Sequence, residues 1–173
     1  PKAIPTEARP FSFHCPTPYK GGKMKSLKRI LLVEDDDKDI ELTLAALDEH
    51  NLANEVAVVR DGVEALDYLY RRESFARRPA GLPVVIMLDL KMPRMDGVQV
   101  LRHIKADEEM RTIPVVVLTS SHESMDLEHC YRLGVNAYVV KPVRFADFID
   151  AVRKTCVFWA LTNQPPPDLM PEK

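Results

Sequence analysis

Cysteine is scarce in this 173-residue chain, and the three present, Cys15, Cys130 and Cys156, are widely spaced. They form no CxxC pair and no zinc-ligand spacing, so a disulfide scaffold and a structural zinc site are both excluded as readings. Long apolar runs are missing too: the longest are strand-sized, which leaves no transmembrane helix. The N-terminus has no apolar signal-peptide core. A cytoplasmic location is the expectation that these absences leave. Neither sign of charge dominates, with Lys+Arg 24 against Asp+Glu 26 and a formal net charge of -2. A nucleic-acid module would be basic overall or carry a basic stripe, so no nucleic-acid partner is expected. The phosphate-cradling motif GxxxxGK[ST] is absent, which excludes a P-loop nucleotidase.

Proline, by contrast, gathers at the two ends. Pro1, Pro5, Pro10, Pro16 and Pro18, followed by Gly21-Gly22, break any helix or inner strand, so residues 1–26 are expected to be a flexible leader. Pro165-Pro166-Pro167 and Pro171 make residues 162–173 an expected extended tail. Residues 27–161 remain as one domain, and at 46% hydrophobic the chain can bury a core.

Within that domain, short apolar runs alternate with amphipathic stretches. The strands are expected at Ile30–Val33, Val56–Val59, Val84–Leu88, Val115–Leu118 and Ala137–Val140. Their near-continuous apolar character suits strands covered on both faces. The first helix is expected over Lys38–His50, with Asp37 as its N-cap. Asp61-Gly62-Val63-Glu64 reads as a capping box that opens the second helix, to about Arg72. The third helix begins near Gly97 and turns Val98, Leu101 and Ile104 inward. The fourth runs from Glu123 to Leu133 and stops at Gly134. The fifth starts near Phe145, with Phe145, Phe148, Ile149, Val152 and Cys156 on one stripe. Five strand–helix units joined by short loops predict a doubly wound α/β fold around a five-stranded parallel sheet.

The chemistry lies at the strand ends, where open α/β sheets build their sites. Asp89 follows Val84-Val85-Ile86-Met87-Leu88, and Glu34-Asp35-Asp36 follows the first strand. Thr119 closes the fourth strand and Lys141-Pro142 the fifth. Adjacent carboxylates repel unless a cation offsets them, and Mg²⁺ is held by one or two carboxylates with waters and phosphate oxygens. Asp35 and Asp89 are therefore the expected direct ligands, Glu34 acts through water, and the backbone carbonyl of Lys91 is a further ligand. Asp89 is the candidate nucleophile, because a carboxylate can attack phosphorus and form an acyl phosphate. Lys141 is the charge partner, and at ~4 Å such a pair is worth roughly 4 kcal/mol at an effective dielectric near 20. A cis Lys141-Pro142 bond is expected to aim it. Thr119 offers a hydroxyl to a phosphoryl oxygen. Tyr138 is expected to be a rotamer switch coupled to Thr119, its ring on the sheet face opposite Val139.

The order VEDD, LDLKMPRMDG, VVVLTSS and AYVVKP resembles the receiver domain of bacterial two-component response regulators, over about Lys28 to Cys156. Thirty residues separate Asp89 from Thr119 and twenty-two separate Thr119 from Lys141, as in that family. The resemblance implies flavodoxin-like topology with strand order 2-1-3-4-5. It implies a Mg²⁺-dependent phosphoprotein that takes a phosphoryl group from a sensor histidine kinase onto Asp89. Glu34 stands where Asp is more usual, and Lys91 and Ser121 hold positions that tune acyl-phosphate hydrolysis. ILLVEDDDKDIELT, RDGVEALDYL, the polar connection before the third strand and FWALTNQPPP are similar to stand-alone receivers that partner phytochrome-type kinases. Output would then be a protein contact or dimerisation. A phosphorelay intermediate that passes the group to a downstream His protein is a second reading. Val157, Phe158, Trp159 and Leu161 place apolar groups all round the last helix, which suggests a symmetric homodimer interface. Enzymatic turnover is not expected. A Mg²⁺-dependent phosphatase would need a second acid just beyond Asp89, and Leu90-Lys91 supplies none. A flavodoxin-like cofactor binder would not carry so acidic a first loop, and a pseudo-receiver would have lost the acids.

Overall fold

The computed structural model describes residues 30–48, 51–166 and Leu169. The leader expected over residues 1–26 lies outside them. Five strands form one sheet: β1 (Ile30–Val33), β2 (Val56–Val59), β3 (Val85–Leu88), β4 (Val115–Thr119) and β5 (Ala137–Val140). Every pairing is parallel, as the residue patterns predict, and the order is β2-β1-β3-β4-β5, as the family resemblance implies.

Alternation along the strands divides the core in two. Leu31, Val33, Ile86, Leu88, Val115 and Val117 face α2 (Gly62–Tyr70), α3 (Gly97–Ala106) and α4 (Ser124–Arg132). Ile30, Leu32, Val85, Met87, Val116 and Leu118 face α1 (Asp37–Asp48) and α5 (Phe145–Val157). Strands β1, β3 and β4 are buried throughout, which accounts for their unbroken apolar sequences. The expected stripe of α5 is shorter than its periodicity suggests. Phe148, Val152 and Cys156 are buried, but Phe145 is 57% exposed at the helix start.

Several boundaries differ from expectation by one cap. Asp37 lies inside α1, and the cap is Asp36, whose Oδ1 accepts from the N–H groups of Lys38 and Asp39 at 2.8 and 3.2 Å. An acid in either place satisfies free amides, so the sequence is ambiguous by one residue. Asp61 caps α2 through the Val63 and Glu64 N–H groups, while Glu64 reaches back to the Arg60 N–H, one residue ahead of the cap. Helix α2 ends at Tyr70, because Arg71 turns left-handed at φ 56°. Arg78 then fastens the polar connection, donating to the carbonyls of Tyr68 and Gly81 at 2.7 and 2.8 Å. Gly134, at φ 89°, follows α4 as expected.

After α5 the chain makes one π-helical turn, Phe158–Thr162. Beyond it, the segment expected to be an extended tail buries both Pro165 and Leu169. Leu169 is 6% exposed and joins the cluster that contains Tyr68 and Leu69 of α2. Among the described residues, no helix is long and apolar enough to cross a membrane.

Candidate functional site

Strand β3 delivers Asp89 to the C-terminal edge of the sheet, where the Asp89 N–H donates to the Val33 carbonyl at 3.0 Å. That bond joins the ends of β3 and β1, so Asp89 and the Glu34-Asp35 pair arrive side by side. Carboxylate oxygens of Glu34, Asp35 and Asp89 all lie within 4.8 Å of one another, close enough to share one cation. Glu34 and Asp89 are buried and Asp35 is exposed, so the cluster opens to solvent on one side.

Asp89 is held from two directions. Its Oδ1 accepts from the Leu90 N–H at 2.6 Å and the Lys91 N–H at 3.3 Å. Its Oδ2 faces the Lys141 ammonium at 3.3 Å. These contacts fix the rotation of a carboxylate that is only 6% exposed. Lys141 reaches the site because its N–H donates to the Thr119 carbonyl at 2.8 Å, which extends the β4–β5 ladder by one step. Its Nζ also lies 2.6 Å from Glu34 Oε2 and 2.7 Å from Asp39 Oδ2.

The electrostatics follow from burial. Desolvation pushes the Glu34 carboxyl up to about 7, against the downward pull of its hydrogen bond and charge interaction with Lys141. Burial pulls the other way on Lys141, but hydrogen bonds to Asp39 and Glu34 and the charges of Glu34 and Asp89 outweigh it. The ammonium is held above the ordinary lysine range and stays charged.

The Lys141-Pro142 bond is not cis, contrary to expectation; no cis bond occurs among the described residues. The trans form is favoured by about 0.5–1 kcal/mol for X–Pro. Here the Lys141 direction is already set by its backbone bond to Thr119 and by three carboxylates.

The loop after Asp89, which carries the Lys91 carbonyl, is clamped to α2. Arg94 Nη1 pairs with Asp61 Oδ2 at 2.9 Å, and the Gly62 N–H donates to the Met95 carbonyl at 3.2 Å. Arg94 takes a left-handed φ of 64° to make the turn. The turn closes where the Gly97 N–H donates to the Leu90 carbonyl at 3.1 Å. A β-carbon on Gly97 would come within 2.8 Å of Leu90 Cα, so only glycine lets α3 start this close to Asp89. Across the mouth of the site, Lys91 Nζ lies 3.5 Å from Glu123 Oε1 at the start of α4.

Thr119 is fully buried, and its Oγ1 accepts from the Ser121 N–H at 3.2 Å. Ser121 Oγ donates to Asp126 Oδ2 at 2.6 Å. The Tyr138 hydroxyl donates to the Ser121 carbonyl at 3.4 Å. Tyr138 packs with the α2–α4 side of the core and Val139 with the α1–α5 side, as strand alternation requires. Burial raises the Tyr138 phenol above its ordinary range, with the charge of Asp126 adding to it.

The expected interface residues lie apart from this pocket. Phe158 and Leu161 are 48% and 53% exposed, whereas Val157 and Trp159 are half-buried. Trp159 packs against the α1–α5 core and meets Phe158 edge-on, with ring centroids 5.1 Å apart. Asp39 is the site residue that the sequence reading missed. Its place in the first turn of α1, directly after the acidic end of β1, is the one local signal it carries.

Comparison with known proteins agrees with this geometry. The family model described as "Response regulator receiver domain" matches residues 30–153. Response regulator Rcp1 of Synechocystis sp. is 37% identical over 135 residues, 78% of this chain and 90% of its own. Its Mn²⁺-bound form superposes with a TM-score of 0.75. A phosphorylated cyanobacterial phytochrome response regulator, RcpA, is 39% identical with a TM-score of 0.76, covering 82% of this chain and 99% of its own. The bacteriophytochrome response regulator RtBRR is 55% identical with a TM-score of 0.65, covering 83% of this chain and 87% of its own. With a parallel sheet in this order, three carboxylates and a lysine at its edge, and a family match over most of its length, the chain belongs to the response regulator receiver domain family.

Proposed function

We propose that Asp89 accepts a phosphoryl group from the phosphohistidine of a sensor histidine kinase. The observation that carries this reading is the convergence of Glu34, Asp35, Asp89 and Lys141, four groups from three strand ends, on one pocket. In the transfer, an Asp89 carboxylate oxygen bonds to phosphorus and the phosphorus–nitrogen bond breaks. The electron pair stays on the imidazole nitrogen, which takes up a proton from solvent. The carboxylates of Glu34, Asp35 and Asp89 fit a hard divalent cation, Mg²⁺, since all are oxygen donors, and the Lys91 backbone carbonyl is proposed as a further ligand. When bound, such an ion neutralises charge on the transferring oxygens and orients the phosphoryl group. Lys141 supplies the second positive charge. The amides of Leu90 and Lys91 keep Asp89 aimed.

The consequence of transfer is proposed to run through Thr119. Its hydroxyl leaves the Ser121 N–H for a phosphoryl oxygen, the β4–α4 loop follows, and Tyr138, tied by its hydroxyl to the Ser121 carbonyl, changes rotamer with it. This is a local electrostatic event that biases a two-state element. Phe158 and Leu161, exposed beside Val157 and Trp159, would form part of a symmetric homodimer contact. The kinase is proposed to be phytochrome-type, because RcpA and RtBRR are phytochrome and bacteriophytochrome response regulators. The phosphorelay alternative is not favoured, as these relatives are response regulators.

Incubation with labelled acetyl phosphate tests the reading. Label should enter the wild-type chain with Mg²⁺, and fail to enter either with EDTA or in Asp89→Asn. Undiminished labelling of Asp89→Asn would refute it.

A further inference from the structure

An ammonium group has three N–H donors. In Lys141 they are spread over Glu34 at 2.6 Å, Asp39 at 2.7 Å and Asp89 at 3.3 Å. The longest contact is the one to the carboxylate proposed to react. Asp39 differs from the other two partners. It lies outside the trio able to share a cation, and it comes from the first turn of α1 rather than from a strand end. Its side chain is 30% exposed, against 2% for Glu34 and 7% for Asp89. The capping of α1 falls to Asp36, not to Asp39. The Asp39 carboxylate is therefore not needed to close the helix, yet it makes a short charge-assisted bond to the lysine of the site.

A lysine ammonium is a compact point charge on a flexible four-carbon stem, so its position is set by the charges around it. With Glu34 and Asp89 as its only partners, it would settle closer to Asp89. It would then shield the oxygen that must attack phosphorus and compete with a cation for the same carboxylate. A short contact to Asp39 draws the ammonium toward α1 and leaves a single, longer N–H contact to Asp89.

We propose that Asp39 is a positioning residue: it holds the Lys141 ammonium between α1 and Asp89, so that the lysine is shared with the acceptor carboxylate rather than clamped onto it. This rests on the reading of Asp89 as the phosphoryl acceptor. On transfer, the donor aimed at Asp89 moves to a phosphoryl oxygen, while the bonds to Glu34 and Asp39 stay in place. The predicted role is that of an anchor for the lysine and not of a metal ligand.

The test uses the full chain and two readouts. The first is the ¹H–¹⁵N correlation of lysine side-chain ammonium groups without any divalent cation, with the Lys141 signal assigned by its loss in Lys141→Arg. An ammonium with all three donors engaged exchanges slowly and gives a sharp signal. Asp39→Asn should shift and broaden it, and Asp39→Glu should restore it in part. The second readout is labelling by acetyl phosphate, together with Mn²⁺ affinity from electron paramagnetic resonance. Asp39→Asn should slow the maximal labelling rate and weaken Mn²⁺ binding, each on the order of fivefold to tenfold, the scale of a contact closing by less than 1 Å. The donor concentration for half-maximal rate should stay unchanged. An unaltered Lys141 signal in Asp39→Asn would overturn the proposal, as would unaltered Mn²⁺ affinity in a variant whose signal has changed. If Asp89→Asn still took up label, the acceptor reading would fail, and the ammonium signal would still report whether Asp39 holds Lys141.

Discussion

Lys141 Nζ lies 2.6 Å from Glu34 Oε2, with the two side chains only 8% and 2% exposed, so a buried ion pair joins the end of β5 to the end of β1. The pair spans 107 positions of sequence and closes the sheet edge around Asp89. Removing one member of a buried pair is costly because the other is left uncompensated. Lys141→Met leaves Glu34, Asp39 and Asp89 facing one another without a counter-charge. Urea unfolding in EDTA should show a loss of about 3–5 kcal/mol. Added Mg²⁺ should recover part of it, since a ligand that binds only the folded state stabilises it by mass action. Equal stability of variant and wild type in EDTA would contradict this account of the cluster.

Gly97 sets how closely α3 approaches the acceptor loop. A β-carbon there would meet Leu90 Cα at 2.8 Å and Asp89 C at 2.9 Å, both backbone atoms that cannot step aside. Gly97→Ala should destabilise the domain by about 3 kcal/mol, at the upper end of ordinary overpacking. It should also slow labelling of Asp89 by displacing the Leu90 and Lys91 amides. Thermal unfolding and acetyl phosphate labelling check both effects, and an unchanged Tm would count against the close approach.

Two thiols give the domain an alkaline limit. Burial pushes Cys130 up to about 11, with the charge of Asp126 adding to it, and pushes Cys156 up to about 12. Both are free and buried. The folded state therefore prefers the neutral thiol more than the unfolded chain does. The stabilisation is complete below the ordinary thiol value near 9 and is lost as pH rises through the folded values. Unfolding free energy should fall above pH 9 by about 1.4 kcal/mol per pH unit for each thiol. A Cys156→Ala variant should show a shallower decline between pH 9 and 11. At neutral pH, mass spectrometry should find Cys130 and Cys156 unalkylated until the protein is unfolded.

The proposed dimer contact is testable without disturbing the core. Phe158 and Leu161 are about half exposed, while Cys156 and Ala160, between and beside them, are buried at 1% and 0%. Replacing Phe158 and Leu161 together by Asp should cost about 1 kcal/mol of stability, the scale of the lost Phe158–Trp159 ring contact, and leave the domain folded. In sedimentation the wild type should be dimeric and the variant monomeric. A dimer that survives both changes would place the interface elsewhere.

Much of this architecture was legible in the sequence because its signals are local. Continuous apolar runs such as Val85–Leu88 are buried on both faces, and a chemically useful residue follows β1, β3 and β5 directly. The order of motifs along the chain was enough to bring Asp89, Glu34, Asp35 and Lys141 to one edge. Contacts settled by packing were harder to read. Asp36 and Asp37 compete for one cap, and only the fold decides between them. Phe145 has the right period for the α5 stripe, yet in the first turn of the helix it is left 57% exposed, which periodicity alone does not reveal. The trans Lys141-Pro142 bond reflects tertiary contacts that hold the lysine, which no dipeptide preference reveals. Leu169 is a lone apolar residue in a Pro-rich stretch, and its burial against the α2 side of the core depends on where the chain passes after Thr162. Asp39 was hidden among four neighbouring acids, because its partner lies 102 positions away.

The central claim is that this pocket makes Asp89, and no other side chain, a phosphoryl acceptor. Its most direct test is to phosphorylate the wild-type chain with acetyl phosphate and Mg²⁺, reduce the acyl phosphate with borohydride, and locate the product by peptide mass spectrometry. The account predicts homoserine at position 89 and at no neighbouring acid, with none formed in EDTA. Homoserine at position 35 or 36, 5-hydroxynorvaline at position 34, or a phosphoryl group that resists borohydride on a hydroxyl such as Thr119, would contradict it.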